Sequence, residues 1–472
     1  MNRSDESSGS RRSAPLGLRP QNALEFAFRQ LDEYRASQQW VQDRLHAAFT
    51  RWNWPGAQRG LVTELVCGVV RRQATLDVLL QKVLSRPLDS LEPSLQTLLS
   101  LGAYQLAFLD DVPDYAAVNE VVELTKSLGY HRWTKIANGV LRSIGRLCTE
   151  ERSDQPAFDA LPLTGGYYRR LTEAVFPDPA ADLAVYVASA FSLPLWLTQR
   201  WCQRMSPEEV CAVAMASNTA PQTYLRVNRR RTSPTALMEK LQAAGVKVEP
   251  IADHPDALRL ISGPAIPQIP GFTAGEFTPQ DLTAMRAAPR LSPGAGDRVW
   301  DVCAAPGTKT THLAELMDDH GEIIATDVDF ERLTRIDENA KRLGLSSIRG
   351  KFVKTDGTLL PEGPFDAILL DVPCSNTGVL HRRPEARWRL EPRDIIDLVE
   401  QQANLLAVSW MRLRPGGRLL YSTCSIEPEE NEERIMRFLA LHPEARLLEA
   451  AVFRPSAQGD GGYQALLQHF VQ

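Results

Sequence analysis

The length, composition and charge of the chain already exclude several classes of protein. A chain of 472 residues exceeds what one hydrophobic core usually organises, so we expect two or three domains. With 43% hydrophobic and 24% charged residues the chain is not globally disordered. Its net charge of -5 provides no overall cationic field, so any nucleic acid must bind through local basic stretches.

The sequence has no segment typical of export or of a membrane span. No window approaches the roughly 18 consecutive apolar residues of a spanning helix, and the start, MNRSDESSGSRRSAP, has no apolar core. We therefore expect a cytoplasmic protein without a membrane partner.

The cysteine and histidine patterns predict neither disulfides nor a metal site. Seven cysteines are scattered along the chain without a CxxC pair, and the eight histidines form no cluster with ligand spacing. We expect reduced thiols and no metal. Four cysteines are interpreted as small buried residues: Cys67, Cys148, Cys202 and Cys211.

The first two thirds of the chain divide into four predicted regions. Residues 1–18 are rich in Ser, Arg and Gly and predict a disordered tail, and residues 19–150 show apolar positions at helical spacing, which predicts an all-α bundle. Residues 151–166 predict a linker because they combine Pro, Gly and acidic residues without periodicity. Residues 167–285 predict a small α+β module that begins with a helix over YYRRLTEAVF.

Strands and helices alternate over the remaining region, residues 286–472. Segments such as DRVWDVCA, GEIIATDV, FDAILLDV and GRLLYSTCSI predict strands separated by amphipathic helices. This alternation indicates a Rossmann-like α/β domain, with a mostly parallel sheet covered by helices on both faces. In such sheets ligands bind beyond the carboxyl ends of the strands.

The residues that follow the first three of these strands predict a nucleoside-type cofactor site. Small residues at a helix start let a ligand approach backbone N–H groups, and an acid after the second strand suits a ribose diol. We assign Asp327 to the diol and Asp356, after the third strand, to an adenine amine. A residue of either kind at a single strand end is more often part of a turn. Here suitable residues follow three successive strands, which favours the cofactor site. The first strand is followed by Cys303, Ala304, Ala305, Pro306, Gly307, Thr308 and Lys309.

An acid and two thiols follow the fourth and fifth predicted strands. Asp371 and Cys374 end the fourth strand and Cys424 ends the fifth, and such strands are commonly neighbours. Methylation of cytosine at C5 needs this set, because C5 becomes nucleophilic once a thiolate adds at C6. A carboxyl beside N3 must then offset the developing charge. A turn-capping role for Asp371 is the alternative.

Two basic stretches are candidate RNA contacts. The first lies after a predicted strand and the second lies just after the Asp371 loop, where Arg and Trp suit phosphate contact and base stacking. A solvated charged face is the alternative for either stretch. The candidates are Arg229, Arg230, Arg231, Arg382, Arg383, Arg387 and Trp388, and weaker ones on the helical bundle are Arg71, Arg72, Arg132 and Lys135.

Long motifs carry a family resemblance over nearly the whole chain. CAAPGTKTT, TDVDFERL, LLDVPCSNTGVLHRRPEARW and YSTCSIEPEENEE resemble the bacterial ribosomal RNA cytosine-5 methyltransferases of the Sun/NOL1/NOP2 family, of the RsmB (Sun/Fmu) type. LVCGVVRRQATLD and ANGVLRSI resemble the NusB-like RNA-binding domain that precedes them in this type. The likeness implies methylation of one cytosine in small-subunit (16S) ribosomal RNA with S-adenosyl-L-methionine as cofactor.

The resemblance also implies roles for individual residues. Residues 303–309, Asp327, Asp356 and Asp371 match cofactor contacts, Cys424 matches the nucleophile, and Cys374 matches the residue that assists product release. Two positions depart from the family pattern. Thr308 replaces a usual glycine and puts cofactor affinity in doubt if the backbone needs φ > 0. At the C-terminus Asp460-Gly461-Gly462-Tyr463 loses an aromatic residue near the expected site, so we expect altered packing with activity retained.

Two other functions stay open at this point. A DNA cytosine-5 methyltransferase would use Cys374, which follows Pro373, as the attacking thiol. A non-catalytic RNA-binding factor for ribosome assembly would keep the fold without turnover. For the methyltransferase we expect ribosomal RNA as the partner of a monomeric chain.

Overall fold

The computed structural model describes residues 19–35, 37, 39–355 and 357–470. The predicted tail at 1–18 and the predicted adenine ligand Asp356 lie outside the described residues. The chain forms two compact units. The first comprises the described residues of 19–163, 167–182 and 188–192, and the second comprises those of 164–166, 183–187 and 193–470.

The first unit is built mainly of helices, as the apolar spacing predicts. Close approach of helices requires glycine at two points: a Cβ on Gly68 would lie 2.1 Å from the Tyr104 ring, and one on Gly102 would lie 2.6 Å from Leu141. The helices are α1 (Ala23–Tyr34), α2 (Val41–Arg51), α3 (Gly56–Arg71), α4 (Gln73–Val83), α5 (Pro93–Phe108), α6 (Asp114–Ser127) and α7 (Thr134–Leu147).

A small antiparallel sheet stands where a linker and a helix are predicted. Its strands are β1 (Cys148–Ser153), β2 (Ala160–Pro162) and β3 (Tyr168–Leu171), in the order β1-β3-β2. The linker prediction for 151–166 and the helix prediction for YYRRLTEAVF were therefore wrong. The reason is tertiary: Arg169 of β3 is buried and donates to the carbonyls of Leu106 and Ala107 at 3.1 Å, which ties the strand to the end of α5.

The second unit begins with a small α+β module. Its four-stranded antiparallel sheet has the order β5-β6-β4-β7, and Ser206 and Glu209 form a capping box at the start of one helix. Helix α8 (Leu183–Ala190) precedes the module. The module comprises α9 (Leu195–Cys202), α10 (Pro207–Asn218), β4 (Thr223–Val227), α11 (Pro234–Ala243), β5 (Lys247–Ile251), β6 (His254–Ser262) and β7 (Phe277–Pro279).

The remainder of the second unit is built on a seven-stranded sheet. Its order is β10-β9-β8-β11-β12-β14-β13; the first five strands pair in parallel and the last two are antiparallel. The strands are β8 (Arg298–Asp301), β9 (Glu322–Asp327), β10 (Ile348–Phe352), β11 (Phe365–Asp371), β12 (Leu413–Thr423), β13 (Ala445–Phe453) and β14 (Gly462–His469).

Helices cover both faces of this sheet. Alternate residues of β11 enter different cores: Ile368 and Leu370 pack with residues of the last helices, whereas Ala367 and Leu369 pack with the first ones. This confirms the predicted Rossmann-like α/β fold. The helices are α12 (Leu282–Met285), α13 (Ala287–Leu291), α14 (Thr308–Leu316), α15 (Phe330–Leu343), α16 (Ala386–Arg389), α17 (Pro392–Trp410) and α18 (Glu432–Leu441).

Within the described part of the chain, none of the helices combines the length and the apolarity that crossing a bilayer requires.

Candidate active site

A cavity of about 1000 Å³ lies at the carboxyl edge of the seven-stranded sheet. Its walls come from the residues that follow β8, β9, β10, β11 and β12, and α17 closes it with polar side chains. The volume is at the upper end of the range for small-molecule sites. Asp327, Asp371, Cys374 and Cys424 all line it, so the two predicted sites form one cavity.

The loop between β8 and α14 forms one end of this cavity. Gly307 has φ of +93°, and a Cβ there would lie 3.1 Å from Ile336, so the loop requires glycine at this position. Thr308 is the first residue of α14, and its φ angle is not positive. The backbone restriction expected at Thr308 therefore does not arise.

The predicted cofactor residues take different places around this loop. Cys303 and Ala305 line the cavity, and burial raises the pKa of the Cys303 thiol. Asp327 also lines it, and its carboxylate accepts from the N–H groups of Ala305 at 3.1 Å and Asp329 at 3.0 Å. The remaining members of the motif support the loop without lining the cavity: Ala304, Pro306, Gly307, Thr308 and Lys309.

Lys309 joins the cofactor end of the cavity to the predicted catalytic acid. Its Nζ lies 2.5 Å from Oδ2 of Asp371. Burial lowers the pKa of the Lys309 ammonium, but the charge and hydrogen bond of Asp371 outweigh burial, and the net pKa is raised. The ion pair holds the Asp371 side chain at the cavity wall.

Asp301 is buried at the end of β8, behind the same loop. Its Oδ2 accepts from Oγ1 of Thr310 at 2.6 Å, while Oδ1 has no hydrogen-bond partner. Burial raises the pKa of Asp301 to about 7, and the charge of Asp371 adds to this shift.

The two predicted catalytic thiols meet at the other end of the cavity. Because β11 and β12 are adjacent parallel strands, Cys374 and Cys424 lie with their Sγ atoms 3.0 Å apart. The N–H group of Cys424 also points to Sγ of Cys374, at 3.3 Å. The hydrogen bond to Cys424 and burial raise the pKa of the Cys374 thiol well above its usual range, which keeps Cys374 protonated.

Asn376 is a site residue that the sequence analysis missed. It has φ of +61°, which Asn tolerates better than most residues, and its amide Nδ2 donates to the Cys374 carbonyl at 2.8 Å. Its Oδ1 accepts from Sγ of Cys424 at 3.2 Å, and the residue lines the cavity. The Ser-Asn pair after Cys374 is the signal that indicates this turn.

Glu430 is a second missed residue, and it lies beneath both thiols. Its buried carboxylate accepts from Ser375, Ser425 and Gln402, so it contacts the residue that follows each cysteine. Nothing in the sequence separates it from the four other glutamates of EPEENEE.

The small α+β module holds the loop that follows Cys424. Glu427 is fully buried, and its carboxylate accepts from Nε1 of Trp201 at 3.0 Å and Nε of Arg200 at 2.5 Å, both on α9. The N–H group of Glu427 donates to Oγ of Ser425 at 3.0 Å. The module therefore supports the active-site loop directly.

The basic stretch after Cys374 is largely buried, which corrects part of the RNA prediction. Arg387 is fully buried and donates to the Ser217 carbonyl at 2.6 Å and the Asn218 amide oxygen at 2.9 Å, so its assignment to RNA was wrong. Arg382 forms ion pairs with Asp281 at 2.7 Å and Asp460 at 2.6 Å. Arg383 is exposed and lines the cavity, and Trp388 is half-buried.

The other predicted basic contacts divide in the same way. Arg229, Arg230 and Arg231 are exposed on the module. In the helical unit Arg71 and Arg72 are buried, which makes these two weaker assignments wrong, whereas Arg132 and Lys135 are exposed. A buried guanidinium cannot reach a phosphate without leaving its protein partners.

The C-terminal departure from the family pattern lies against the Cys424 loop. A Cβ on Gly462 would lie 2.4 Å from the Thr423 carbonyl oxygen, and Tyr463 is buried in the core of the sheet. Asp460 accepts from Arg382 and contacts His381 at 2.9 Å. Among the described residues there is no group of three or more side chains able to hold a metal ion.

The sheet order, the glycine-dependent loop after β8 and the acid-lined cavity define a methyltransferase with a nucleoside-type cofactor. The comparisons with known proteins agree. Residues 288–470 match the model of the 16S rRNA methyltransferase RsmB/F family, residues 21–146 match the NusB family, and residues 193–266 match the ferredoxin-like domain of RsmF/B-like methyltransferases.

Relatives and solved structures extend the match over nearly the whole chain. Ribosomal RNA small subunit methyltransferase B of Salmonella paratyphi B is 35% identical over 418 residues, which is 87% of this chain and 90% of that protein. The structure of PH0851 shares the fold, with a TM-score of 0.72, 24% identity, and coverage of 94% of this chain and 98% of its own. A methyltransferase homologue from Pyrococcus horikoshii aligns at 28% identity and a TM-score of 0.53, covering 61% of this chain and 99% of its own.

The chain therefore belongs to the 16S rRNA methyltransferase RsmB/F family, whose members depend on S-adenosylmethionine, and it is an RNA methyltransferase. The predictions of the NusB-like bundle, the α+β module and the methyltransferase domain are confirmed as a fold class.

Proposed function

We propose that this protein transfers the methyl group of S-adenosylmethionine to C5 of one cytosine in small-subunit ribosomal RNA, with Cys424 as the nucleophile. One observation carries the proposal: a single cavity is lined by Asp327 at one end and by Asp371, Cys374 and Cys424 at the other. A cofactor held at the first end would therefore share its space with a base held at the second.

The residues at the first end fit S-adenosylmethionine. Asp327 suits the ribose diol, and the small residues Cys303 and Ala305 line the wall beside it. We keep the sequence-based assignment of Asp356 to the adenine amine. Gly307 keeps the loop free of a Cβ that would press on Ile336. When bound, the cofactor supplies an electrophilic methyl group on a sulfonium.

The residues at the second end account for the activation of cytosine. Sγ of Cys424 forms a bond to C6, and the electrons of the C5–C6 double bond move into the ring. The proton that the Cys424 thiol loses as it attacks passes to N3 through the Asp371 carboxyl group, which Lys309 holds in place, and neutralises this charge. C5 then takes the methyl group. The N3 proton then returns to Asp371 and a water molecule takes the C5 proton, so that the C5–C6 double bond forms again as the C6–S bond breaks. Cys424 leaves as a thiolate, and the protonated Cys374 thiol, 3.0 Å away, assists this release by hydrogen bonding to it.

Exposed basic residues are the proposed RNA contacts. Arg383 lies at the cavity and would contact the nucleotide next to the target base, while Arg229, Arg230 and Arg231 would contact phosphates farther along the strand. The NusB-like unit is the second proposed RNA-binding region. We propose that the enzyme acts as a cytoplasmic monomer.

The test is transfer from labelled S-adenosylmethionine to unmethylated small-subunit ribosomal RNA, followed by digestion to nucleosides. We expect 5-methylcytidine at one position with wild type, none with Cys424→Ala, and a covalent RNA–protein complex with Cys374→Ala. Cys202→Ala, which removes a thiol that does not line the cavity, is the control and should behave as wild type.

Four results would overturn the proposal. The label could appear at another atom of the RNA, or Cys424→Ala could retain turnover. Equal transfer to a DNA oligonucleotide of the same sequence would instead favour the DNA cytosine-5 methyltransferase. Folded wild-type protein that binds the cofactor and modifies none of these substrates would favour the assembly factor.

A further inference from the structure

We propose that Glu430 is the positioning residue that holds the Cys374 and Cys424 thiols at their mutual distance for the reaction. The proposal rests on the covalent function proposed above and deepens it. Glu430 does not touch the cavity; it acts through the two serines that follow the cysteines.

The loops that carry the two cysteines both donate hydrogen bonds to the Glu430 carboxylate. Oε1 of Glu430 accepts from the N–H group of Ser375 and from Nε2 of Gln402, each at 2.9 Å. Oε2 accepts from the hydroxyls of Ser375 and Ser425. Because Ser375 follows Cys374 and Ser425 follows Cys424, each thiol is one residue away from the same anchor.

Further contacts fix the anchor itself. The hydroxyl of Tyr421, in strand β12, donates to the Glu430 carbonyl at 2.7 Å, and Gln402 of α17 also donates to the Pro373 carbonyl at 2.9 Å. Thr377 lies between the loops, where its Oγ1 accepts from the Ile426 N–H group at 3.1 Å. The carboxylate therefore stands in a rigid frame drawn from the sheet and from α17.

The burial of Glu430 is expensive, which argues that its position serves more than packing. The side chain is fully buried, its hydrogen-bond donors are neutral groups, and burial raises its pKa even though the hydrogen bonds of Ser375 and Ser425 oppose the shift. A buried acid without a cation destabilises a fold unless its hydrogen bonds are complete. Here four donors satisfy the Glu430 carboxylate. Three belong to the serines that follow the two cysteines, and the fourth is Nε2 of Gln402.

The consequence for the reaction is geometric. Cys424 must reach C6 while Cys374 stays beside it for release, and a displacement of about 1 Å in such a pair lowers rates by on the order of a hundredfold. Removal of the carboxylate frees both serines at once and leaves the Ser375 N–H group and Gln402 without their acceptor. Binding of cofactor at the Asp327 end does not depend on these contacts.

The chain offers a matched control with the same chemistry elsewhere. Asp319 accepts from the N–H group and hydroxyl of both Ser346 and Ser347, at 2.7 to 3.0 Å. It lies before β9, at the amino edge of the sheet, away from the cavity. Loss of this carboxylate removes hydrogen bonds of the same kind without moving a thiol.

The experiment compares Glu430→Gln, Glu430→Ala and Ser375→Ala with Asp319→Asn and Asp319→Ala in the full chain. Four quantities are measured: kcat, KM for RNA, Kd for S-adenosylmethionine, and the rate at which dibromobimane bridges Cys374 and Cys424 into a fluorescent product. We expect kcat to fall about tenfold in Glu430→Gln, which keeps one acceptor oxygen, and about a hundredfold in Glu430→Ala. Kd and KM should stay within about twofold, and bridging should slow in the same order.

The outcomes separate this proposal from the function on which it rests. Wild-type kcat and bridging in folded Glu430→Gln and Glu430→Ala, or equal losses in Asp319→Ala of matched thermal stability, would overturn the positioning role and leave the function intact. Absence of methyl transfer by wild type would overturn the function, and the bridging rates would still decide whether Glu430 sets the thiol spacing. If Glu430→Ala does not fold, Glu430→Gln and Ser375→Ala decide the question.

Discussion

The two ends of the cavity are built by different means. The proposed cofactor end is shaped mainly by backbone conformation, because Gly307 and the small residues before it form the loop after β8, and Asp327 follows the next strand. The thiol end is assembled from loops far apart in sequence, which meet on the side chain of Glu430. The first end therefore depends on local backbone conformation and the second on long-range hydrogen bonds, so mutations should separate cofactor binding from chemistry.

The largest expected effect is at the thiol end. Cys424→Ser keeps the size of the side chain and its contact with Asn376, but an alcohol is a far weaker nucleophile than a thiol. We expect kcat to fall by at least about a thousandfold while the Kd for S-adenosylmethionine stays unchanged. Calorimetry and methyl transfer on the same preparation measure the two quantities. Weakened cofactor binding in this variant would contradict the separation of the two ends.

The next effect is at the cofactor end. Gly307→Ala places a Cβ at φ of +93° and 3.1 Å from Ile336, a strain of about 1–2 kcal/mol. We expect the Kd for S-adenosylmethionine to rise about tenfold, because each 1.4 kcal/mol changes an equilibrium tenfold. Thr308→Gly is the matched control, since Thr308 already has a helical backbone, and its Kd should not change. Weaker S-adenosylmethionine binding in Thr308→Gly with unchanged binding in Gly307→Ala would contradict the requirement for glycine at position 307.

A smaller effect should distinguish the exposed from the buried arginines beside the cavity. Arg383→Ala should raise KM for RNA a fewfold, because an exposed phosphate contact is lost. Arg387→Ala should lower thermal stability, because the Ser217 carbonyl and Asn218 lose a buried donor worth about 1–3 kcal/mol. Thermal unfolding and steady-state kinetics of both variants check this. Native thermal stability together with a raised KM for RNA in Arg387→Ala would contradict the buried structural role and support an RNA contact for Arg387.

The smallest effect is a pH dependence at the cofactor end. Asp301 has a folded pKa raised to about 7 by burial, above its ordinary 3.8, so its ionisation opposes folding. The resulting destabilisation of the fold is absent below the ordinary pKa of 3.8 and complete above about pH 7. Asp301→Asn removes it, so the Tm difference between variant and wild type should increase from about pH 5 to about pH 8. The groups facing Asp301 are Thr310, Asp371, Lys309 and Asp327. A Tm difference that is independent of pH would contradict the raised pKa.

Sequence patterns predict what neighbouring residues determine and miss what distant residues determine. The Rossmann-like sheet, the cofactor loop and the meeting of Cys374 with Cys424 follow from strand periodicity and from the adjacency of β11 and β12. The strand at Tyr168–Leu171 was missed because Arg169 binds the end of α5, and Arg387 was misassigned because α10 buries it.

Glu430 shows the same limit within the site. Five glutamates occupy the segment EPEENEE, and their local environments in the sequence are nearly identical. Glu427 turns to Trp201 and Arg200 whereas Glu430 turns to the two serines, and only the folded chain separates these roles.

The most direct test of the account is to map the covalent complex that Cys374→Ala forms with small-subunit ribosomal RNA. After digestion with nuclease and protease, mass spectrometry locates the modified residue. We expect one pyrimidine nucleotide attached to the peptide that carries Cys424, formed only when S-adenosylmethionine is present to complete the methylated adduct. A nucleotide attached to Cys303, or no complex despite normal folding and cofactor binding, would contradict the assignment of Cys424 as nucleophile.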